Sequence, residues 1–142
     1  MDRFKNWKKP VIKEMKPTKN GWMVSHVKNL KLGYKTDIGA FTFIAAHNGV
    51  VIEDYVQIGG GVKIYSIDTI SGKGGKVILK KNCKIGANSV VLPNVTVGEN
   101  SVVGACSVVK NGTVIPLNEV WAGCPVKKIG IIRNEEREYL KN

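Results

Sequence analysis

The chain has 142 residues, enough for one domain with a sizeable core. It carries 22 Lys and Arg against 11 Asp and Glu, a net charge of +11 that favours anionic ligands. Nucleic acid is not expected as a partner, because the lysines are scattered and aromatic residues make up only 7% of the chain. No apolar run is long enough to span a membrane, and the basic first residues lack the apolar region of a secretory signal.

The three cysteines, Cys83, Cys106 and Cys124, form no CxxC pair. Their odd number and spacing argue against a disulfide framework and against a zinc site. We interpret them as reduced thiols in a cytoplasmic protein.

Residues 1–29 show no repeat and form the first predicted element, a cap or arm. It carries many lysines together with Trp7 and Trp22. A terminal arm of this kind covers the end of a repeat structure, which otherwise exposes unpaired strand edges. His26 lies in this arm, and we expect it to have a structural role.

A six-residue repeat begins after the arm and is interrupted twice. Two extra residues follow His47, and three more precede Leu79. Insertions cannot enter a packed axis, so both are expected to form outward loops. The aliphatic first positions of this half of the repeat are Leu32, Ile38, Ile44, Ile52, Ile58, Ile64 and Ile70.

The second half repeats without interruption, and glycine takes the second position at 86, 98 and 104. A spacing of six cannot form a helix stripe, but it suits short strands separated by turns. Gly and Asn at fixed offsets permit left-handed turn backbone. We therefore predict a single all-β domain, a parallel β-helix with about four to five coils over residues 30–120. Its first positions here are Leu79, Ile85, Val91, Val97, Val103, Val109 and Ile115.

Residues 121–142 are expected to close the β-helix. Within them, "NEEREYLKN" (134–142) predicts a short C-terminal helix, because its acidic residues come early and its lysine late, in agreement with the helix dipole.

This pattern over residues 30–129 resembles the hexapeptide-repeat acyltransferases, which fold as left-handed parallel β-helices. The segment "AGCPVKKI" (122–129) is similar to the stretch that closes the helix in CoA-dependent members. The resemblance implies acetyl-CoA as co-substrate. It also implies a homotrimer with active sites in grooves between subunits.

The stretch around His47 resembles the segment of serine acetyltransferases that carries the catalytic histidine. Ala46 stands where that family has Asp, and Ser66-Ile67-Asp68 stands where many sugar acetyltransferases have Ser-His-Asp. We expect His47 to be the general base and Asp68 to orient either the acceptor or an imidazole. Two alternatives stay open: His47 is a turn residue, or an amine acceptor attacks without a side-chain base.

The resemblance places the pantetheine arm of CoA along Ala87, Gly104 and Ala105. Lys110, Lys127 and Lys128 are candidates for the CoA phosphates. Asn48, Tyr65 and Asn88 are expected to contact the acceptor. The loop "SGKGGKV" (71–77) either donates N–H groups to a phosphate or is a solvated loop.

The leading functional hypothesis is acetyl-CoA-dependent N-acetylation of a nucleotide-linked amino sugar, in polysaccharide or glycan biosynthesis. One alternative is O-acetylation of a sugar or of a serine-like small acceptor. Another is a non-catalytic β-helix that serves as an assembly or binding module. No metal is expected, and a carbonic anhydrase of this fold is excluded because it needs three histidines on zinc and the chain has two.

Overall fold

The computed structural model describes residues 3–133, which form almost only β-strands, numbered here in chain order. The first of three sheets stacks β1 (Met23–Ser25), β4 (Phe43–Ala45), β7 (Lys63–Tyr65), β12 (Val90–Val91) and β15 (Val108–Val109). The second stacks β2 (Leu30–Leu32), β5 (Val50–Ile52), β10 (Val77–Leu79), β13 (Thr96–Val97) and β16 (Val114–Ile115). The third stacks β3 (Asp37–Ile38), β6 (Gln57–Ile58), β11 (Lys84–Ile85), β14 (Val102–Val103), β17 (Glu119–Gly123) and β18 (Val126–Ile131).

The chain visits the first, second and third sheet in turn and then returns to the first, so each circuit is one coil. Strands of consecutive coils pair in parallel and in register, with Ile44 opposite Ile64 and Ile58 opposite Ile85. Only the last pair of this stack, β17 with β18, is antiparallel. The parallel β-helix predicted from the repeat is therefore confirmed. The predicted C-terminal helix (134–142) lies outside the described residues.

The core is a column of aliphatic side chains along the axis of the coils. The first-position residues Ile44, Ile64, Leu79, Val97 and Val109 are fully buried. Burying one such side chain contributes roughly 1.5–3 kcal/mol. Because each coil covers the next, the column is continuous through all the coils.

Asparagine and glycine have different roles at the turns, whereas the prediction gave them the same role. Left-handed backbone is supplied at many turns by Asn82, Asn88, Asn94, Asn100 and Asn118, each with φ between 60° and 64°. The second-position glycines are needed for a different reason. A Cβ at Gly86 would lie 2.4 Å from the backbone nitrogen of Ala105 in the next coil, so these glycines permit close stacking.

The assignment of Ile70 to the repeat is wrong. Its side chain is 97% exposed, because it lies at the tip of an antiparallel hairpin formed by β8 (Ile67–Asp68) and β9 (Lys73–Gly74). The chain rejoins the coil only at Val77. The second insertion is therefore the whole segment 66–76, and hairpin pairing explains why its isoleucine does not face the axis.

The first coil begins earlier than expected, within the segment predicted as the cap. Strand β1 pairs with β4, so that Val24 takes the position of Ile44 one coil later. The rest of the arm packs against the outside of the coils. Phe4 is buried and contacts Tyr55 edge-on, with ring centroids 6.0 Å apart. No helix within residues 3–133 is long and apolar enough to cross a membrane.

Candidate functional site

Three irregular segments lie above one another where the first sheet passes to the second. We call this edge, formed by residues 26–29, 46–49 and 66–76, the insertion corner. Each segment follows a strand of the first sheet: β1, β4 and β7 respectively. Strand pairing in register brings equivalent positions of successive coils together. The two histidines of the chain meet here for that reason.

The rings of His26 and His47 are in direct contact, with centroids 3.5 Å apart and planes tilted by 42°. His47 is exposed, whereas His26 is partly buried behind it. Nδ1 of His26 is buried and has no hydrogen-bond partner among the described residues.

Glu14 fixes the backbone beneath this pair. Its carboxylate accepts the N–H of His26 at 2.7 Å and that of Val27 at 2.9 Å. These two backbone hydrogen bonds lower the pKa of Glu14 below its usual value, and the bond from Val27 contributes most. The neighbouring histidines add to the effect. His26 itself is left-handed, with φ 61° and ψ 53°. The arm is therefore attached to the corner at the histidine pair.

His26 was expected to have a structural role, and its contact with His47 was not predicted. A signal was present in the spacing. Val24 and Leu32 are eight residues apart, like Ile44 and Ile52. Two breaks of the same length in successive coils place their loops at one corner, which brings both histidines together.

Hydrogen bonds hold the His47 turn on both sides. The side-chain amide of Asn29 donates to the carbonyl of His47 at 3.0 Å. Asn48 donates its backbone N–H to Oγ of Ser66 and its side-chain amide to the Ser66 carbonyl, both at 2.9 Å. Ser66 in turn donates to the carbonyl of Ala45 at 2.7 Å. Asn48, which was predicted to contact the acceptor substrate, therefore positions the loop that carries His47.

Asp68 lies in the same corner but bonds within its own hairpin. It accepts the hydroxyl of Ser71 at 2.7 Å and the N–H of Ile70 at 3.0 Å. The Ser71 hydrogen bond is the main cause that lowers the pKa of Asp68. Among residues 3–133 no hydrogen bond joins Asp68 to either histidine. Tyr65, at the start of the same insertion, lies beside Phe43 with ring centroids 6.4 Å apart.

The predicted pantetheine residues lie at a different edge, where the third sheet passes to the first. We call it the small-residue corner, and its members include Gly59, Gly60, Ala87, Gly104 and Ala105. Asn88 is one of the left-handed residues of this corner. A shallow groove of about 400 Å³ runs beside it over the third sheet. Ala87, Gly104, Ala105 and Asn88 are thus brought together, but away from His47.

The three predicted phosphate-binding lysines do not form one cluster. Lys127 pairs with Ala122, and a Cβ at Gly104 would lie 2.9 Å from the Ala122 side chain, so Lys127 flanks the small-residue corner. Lys128 instead forms an ion pair with Glu119 at 3.2 Å. Lys110 follows β15, on the side of the insertion corner.

Glu119 is the partner that occupies Lys128. Its carboxylate also accepts the indole N–H of Trp121 at 3.0 Å. The Trp121 hydrogen bond is the first cause that lowers the pKa of Glu119, and Lys128 adds to it. Part of the charge of Lys128 is therefore engaged within the chain. No group of three potential metal ligands occurs among the described residues.

Known proteins share this architecture and part of this sequence. Residues 76–111 match the model of the bacterial transferase hexapeptide (six repeats). AntD, an N-acyltransferase from Bacillus cereus solved with dTDP and 3-hydroxybutyryl-CoA, is 32% identical over 86% of this chain and 77% of its own, with a TM-score of 0.57. This chain belongs to the hexapeptide-repeat acyltransferase family. The predictions of family and of enzyme class are confirmed.

Two further family members extend the comparison. A maltose O-acetyltransferase from Clostridium difficile is 28% identical over 80% of this chain and 65% of its own, with a TM-score of 0.71. A hexapeptide-repeat acetyltransferase from Vibrio cholerae, 22% identical over 80% of this chain and 68% of its own, shares the fold with a TM-score of 0.72. The chain thus spans about two thirds of the length of these two neighbours. No curated protein sequence matches it.

Proposed function

We propose that this hexapeptide-repeat protein transfers an acetyl group from acetyl-CoA to the amino group of a nucleotide-linked sugar. The observation that carries the proposal is the likeness to AntD. A mutant of AntD, 27% identical over 87% of this chain and with a TM-score of 0.66, was solved with dTDP-4-amino-4,6-dideoxyglucose and coenzyme A. Both substrates carry phosphates, which suits a chain with a net charge of +11.

His47 is the proposed base of the reaction. As the acceptor nitrogen attacks the thioester carbonyl, the imidazole takes the proton that the nitrogen loses. The C–S bond then breaks, and the proton passes to the departing CoA sulfur. His47 suits this role because it is exposed, its turn is held by Asn29 and Ser66, and a second imidazole contacts its ring. General-base catalysis typically contributes roughly 10²–10⁴-fold.

The small-residue corner is the proposed binding edge for the pantetheine arm. Glycine and alanine let backbone N–H and C=O groups approach a ligand closely. Lys127 flanks this edge and has no ion pair among the described residues, whereas Lys128 is shared with Glu119. The two corners are separate edges of one subunit. A proposed homotrimer, in which one subunit's insertion corner faces another's small-residue corner, joins them.

O-acetylation of a sugar hydroxyl is the second candidate. The likeness to the maltose O-acetyltransferase supports it, at 28% identity. The contact between the two histidine rings also favours it, because a hydroxyl needs stronger proton removal than an amine. The exposed thiols of Cys106 and Cys124 fit a reducing compartment, in line with the proposed cytoplasmic location.

The test is thiol release from acetyl-CoA with matched acceptors. The panel contains dTDP-linked amino sugars, the same sugars with hydroxyl in place of amine, free maltose and serine. Turnover confined to the amino sugars supports N-acetylation, and turnover with maltose or the hydroxyl analogues supports the second candidate. If calorimetry detects no CoA binding and no acceptor is turned over, the chain is a non-catalytic binding module.

A further inference from the structure

The N-terminal arm borders a basic cavity that the proposed reaction does not use. Residues 3–22 pass across the first coil and leave a cavity of about 750 Å³ against Thr36, Asp37 and Ile38. We call it the cap cavity. Its volume lies within the range of roughly 300–1,000 Å³ typical of small-molecule sites. It adjoins the third sheet, whereas the insertion corner lies between the first and second sheets.

The charge of the cap cavity is strongly one-sided. Five cationic side chains line it, with Asp37 as the one acidic residue of the lining. Arg3 forms an ion pair with Asp37, which neutralises both. The remaining four cations have no ion pair among residues 3–133. They are Lys5, Lys8, Lys9 and Lys19.

The folding of the arm does not require four unpaired lysines around this cavity. Four like charges around one concavity repel each other and destabilise the closed arm unless an anion is present. The arm is nevertheless well anchored elsewhere, since Phe4 is buried against Tyr55 and Trp22 is only 2% exposed. The apolar contacts therefore hold the arm in place, whereas the lysine side chains are exposed and lack a counter-charge.

The walls between the lysines are aromatic and polar. Trp7 lines the cavity and is fixed edge-on against Tyr34, with ring centroids 5.8 Å apart. Trp22 and the hydroxyl-bearing Thr18 and Thr36 also line it. An indole offers a flat apolar surface for a planar group, and ammonium groups bind phosphate oxygens as point charges.

We propose that the cap cavity binds a small molecule that bears a diphosphate. Lys5, Lys8, Lys9 and Lys19 neutralise the phosphates, and Trp7 packs against the attached group. Nucleoside diphosphates and inorganic diphosphate share this chemistry, and the attached group distinguishes them. The inference does not depend on the proposed acetyl transfer, because none of the four lysines lies at the insertion corner or lines the groove beside the small-residue corner, although Arg3 and Asp37 line both that groove and the cap cavity.

The test compares two lysine pairs of equal charge. The cap variant is Lys8→Gln with Lys9→Gln. The control is Lys31→Gln with Lys80→Gln, two exposed lysines that do not line the cavity. Calorimetry with inorganic diphosphate and with dTDP measures the Kd of each protein. We expect the cap variant to weaken binding about tenfold or more and the control less than about twofold, since charge-assisted hydrogen bonds are lost only in the first.

A local readout separates this cavity from the proposed catalytic site. We expect dTDP to change the tryptophan fluorescence of the natural protein, and Trp7→Phe to remove most of that change. His47→Ala is expected to leave it intact, so a failure of the acetyl-transfer proposal would not affect this result. Tighter binding of dTDP than of inorganic diphosphate identifies a nucleotide, and equal binding identifies the diphosphate alone.

Three outcomes would overturn the inference. The first is equal weakening in the cap and control variants, which means that only the overall charge matters. The second is the absence of saturable binding to either probe. The third is binding of anionic phospholipid vesicles or duplex DNA that depends on Lys8 and Lys9 and that neither probe displaces.

Discussion

At the scale of single residues, the contact between His26 and His47 distinguishes this chain from one with an isolated turn histidine. A lone exposed imidazole has water around it and no fixed orientation. Here a second ring lies 3.5 Å away, and its backbone is held by Glu14. Positioned groups catalyse better than mobile ones because less orientation is lost on reaching the transition state.

Replacing His47 by Ala tests the base directly. We expect kcat to fall by roughly 10²-fold or more, because general-base catalysis typically contributes 10²–10⁴. Steady-state thiol release measures the effect, and Lys28→Ala, an exposed change next to the same corner, is the control. A fall of less than about tenfold would mean that His47 is not the base and that the amine attacks without one.

Glu14→Gln tests the tie between the arm and the insertion corner through pH. The folded-state pKa of Glu14 is lowered by the N–H groups of Val27 and His26. A lowered pKa stabilises the fold at pH above the unfolded value of about 4.3, and this contribution is lost as pH falls through the folded value. We expect Glu14→Gln to lower Tm at neutral pH, and we expect the Tm difference to shrink as pH falls below about 4.3. A Tm difference that is independent of pH would contradict this account.

At the scale of elements, the repeat predicted the coils and the two outward insertions, but not the bounds of the second insertion. A spacing of six is set by the aliphatic column, so positions such as Ile44 and Val97 could be read from the sequence alone. Ile70 has the same residue type at the same spacing, yet it lies on a hairpin tip. Local composition cannot distinguish these cases, because the hairpin is fixed by the pairing of Ile67 with Gly74. The composition of the functional site likewise depends on how the coils stack, which local composition does not show.

Gly86→Ala tests the reason for second-position glycine. An added Cβ would lie 2.4 Å from backbone nitrogen and 2.6 Å from Cα of Ala105, neither of which can move aside. We expect a loss of roughly 1–3 kcal/mol in the free energy of unfolding, measured by urea denaturation. Gly130→Ala is the matched control, since the nearest atom to its Cβ is 4.0 Å away. Equal effects at the two positions would show that close stacking is not the cause.

The three cysteines should differ in reactivity according to their place in the coils. Cys83 is fully buried, and that burial raises the pKa of its thiol well above the usual range. Cys106 and Cys124 are exposed. We expect a thiol reagent to modify two groups per chain in the folded protein and all three in denaturant. Modification of Cys83 at the rate of the other two, followed by mass spectrometry of peptides, would contradict the packing described here.

At the scale of the whole molecule, the sequence predicted architecture and enzyme class better than the site. The family likeness placed His47, Asp68 and the CoA residues along the chain, but only the fold assigns them to corners. His47 and Asp68 share one corner, whereas Ala87 and Gly104 share another. A single subunit therefore separates the proposed base from the proposed cofactor edge. This separation is the physical reason to expect an assembly.

The hairpin tip provides the test of that assembly. We expect light scattering to give a mass three times 15.5 kDa, the mass of one chain. Ile70 is 97% exposed in one subunit, and burying an isoleucine contributes roughly 1.5–3 kcal/mol, so a neighbouring subunit is the expected cover. Ile70→Asp should therefore shift the trimer toward monomer on dilution. Thr69→Asp, which adds the same charge at the adjacent exposed residue, should shift it less. A monomeric natural protein would contradict the trimer itself, whereas a trimer equally stable in both variants would contradict only the place of Ile70 in the interface.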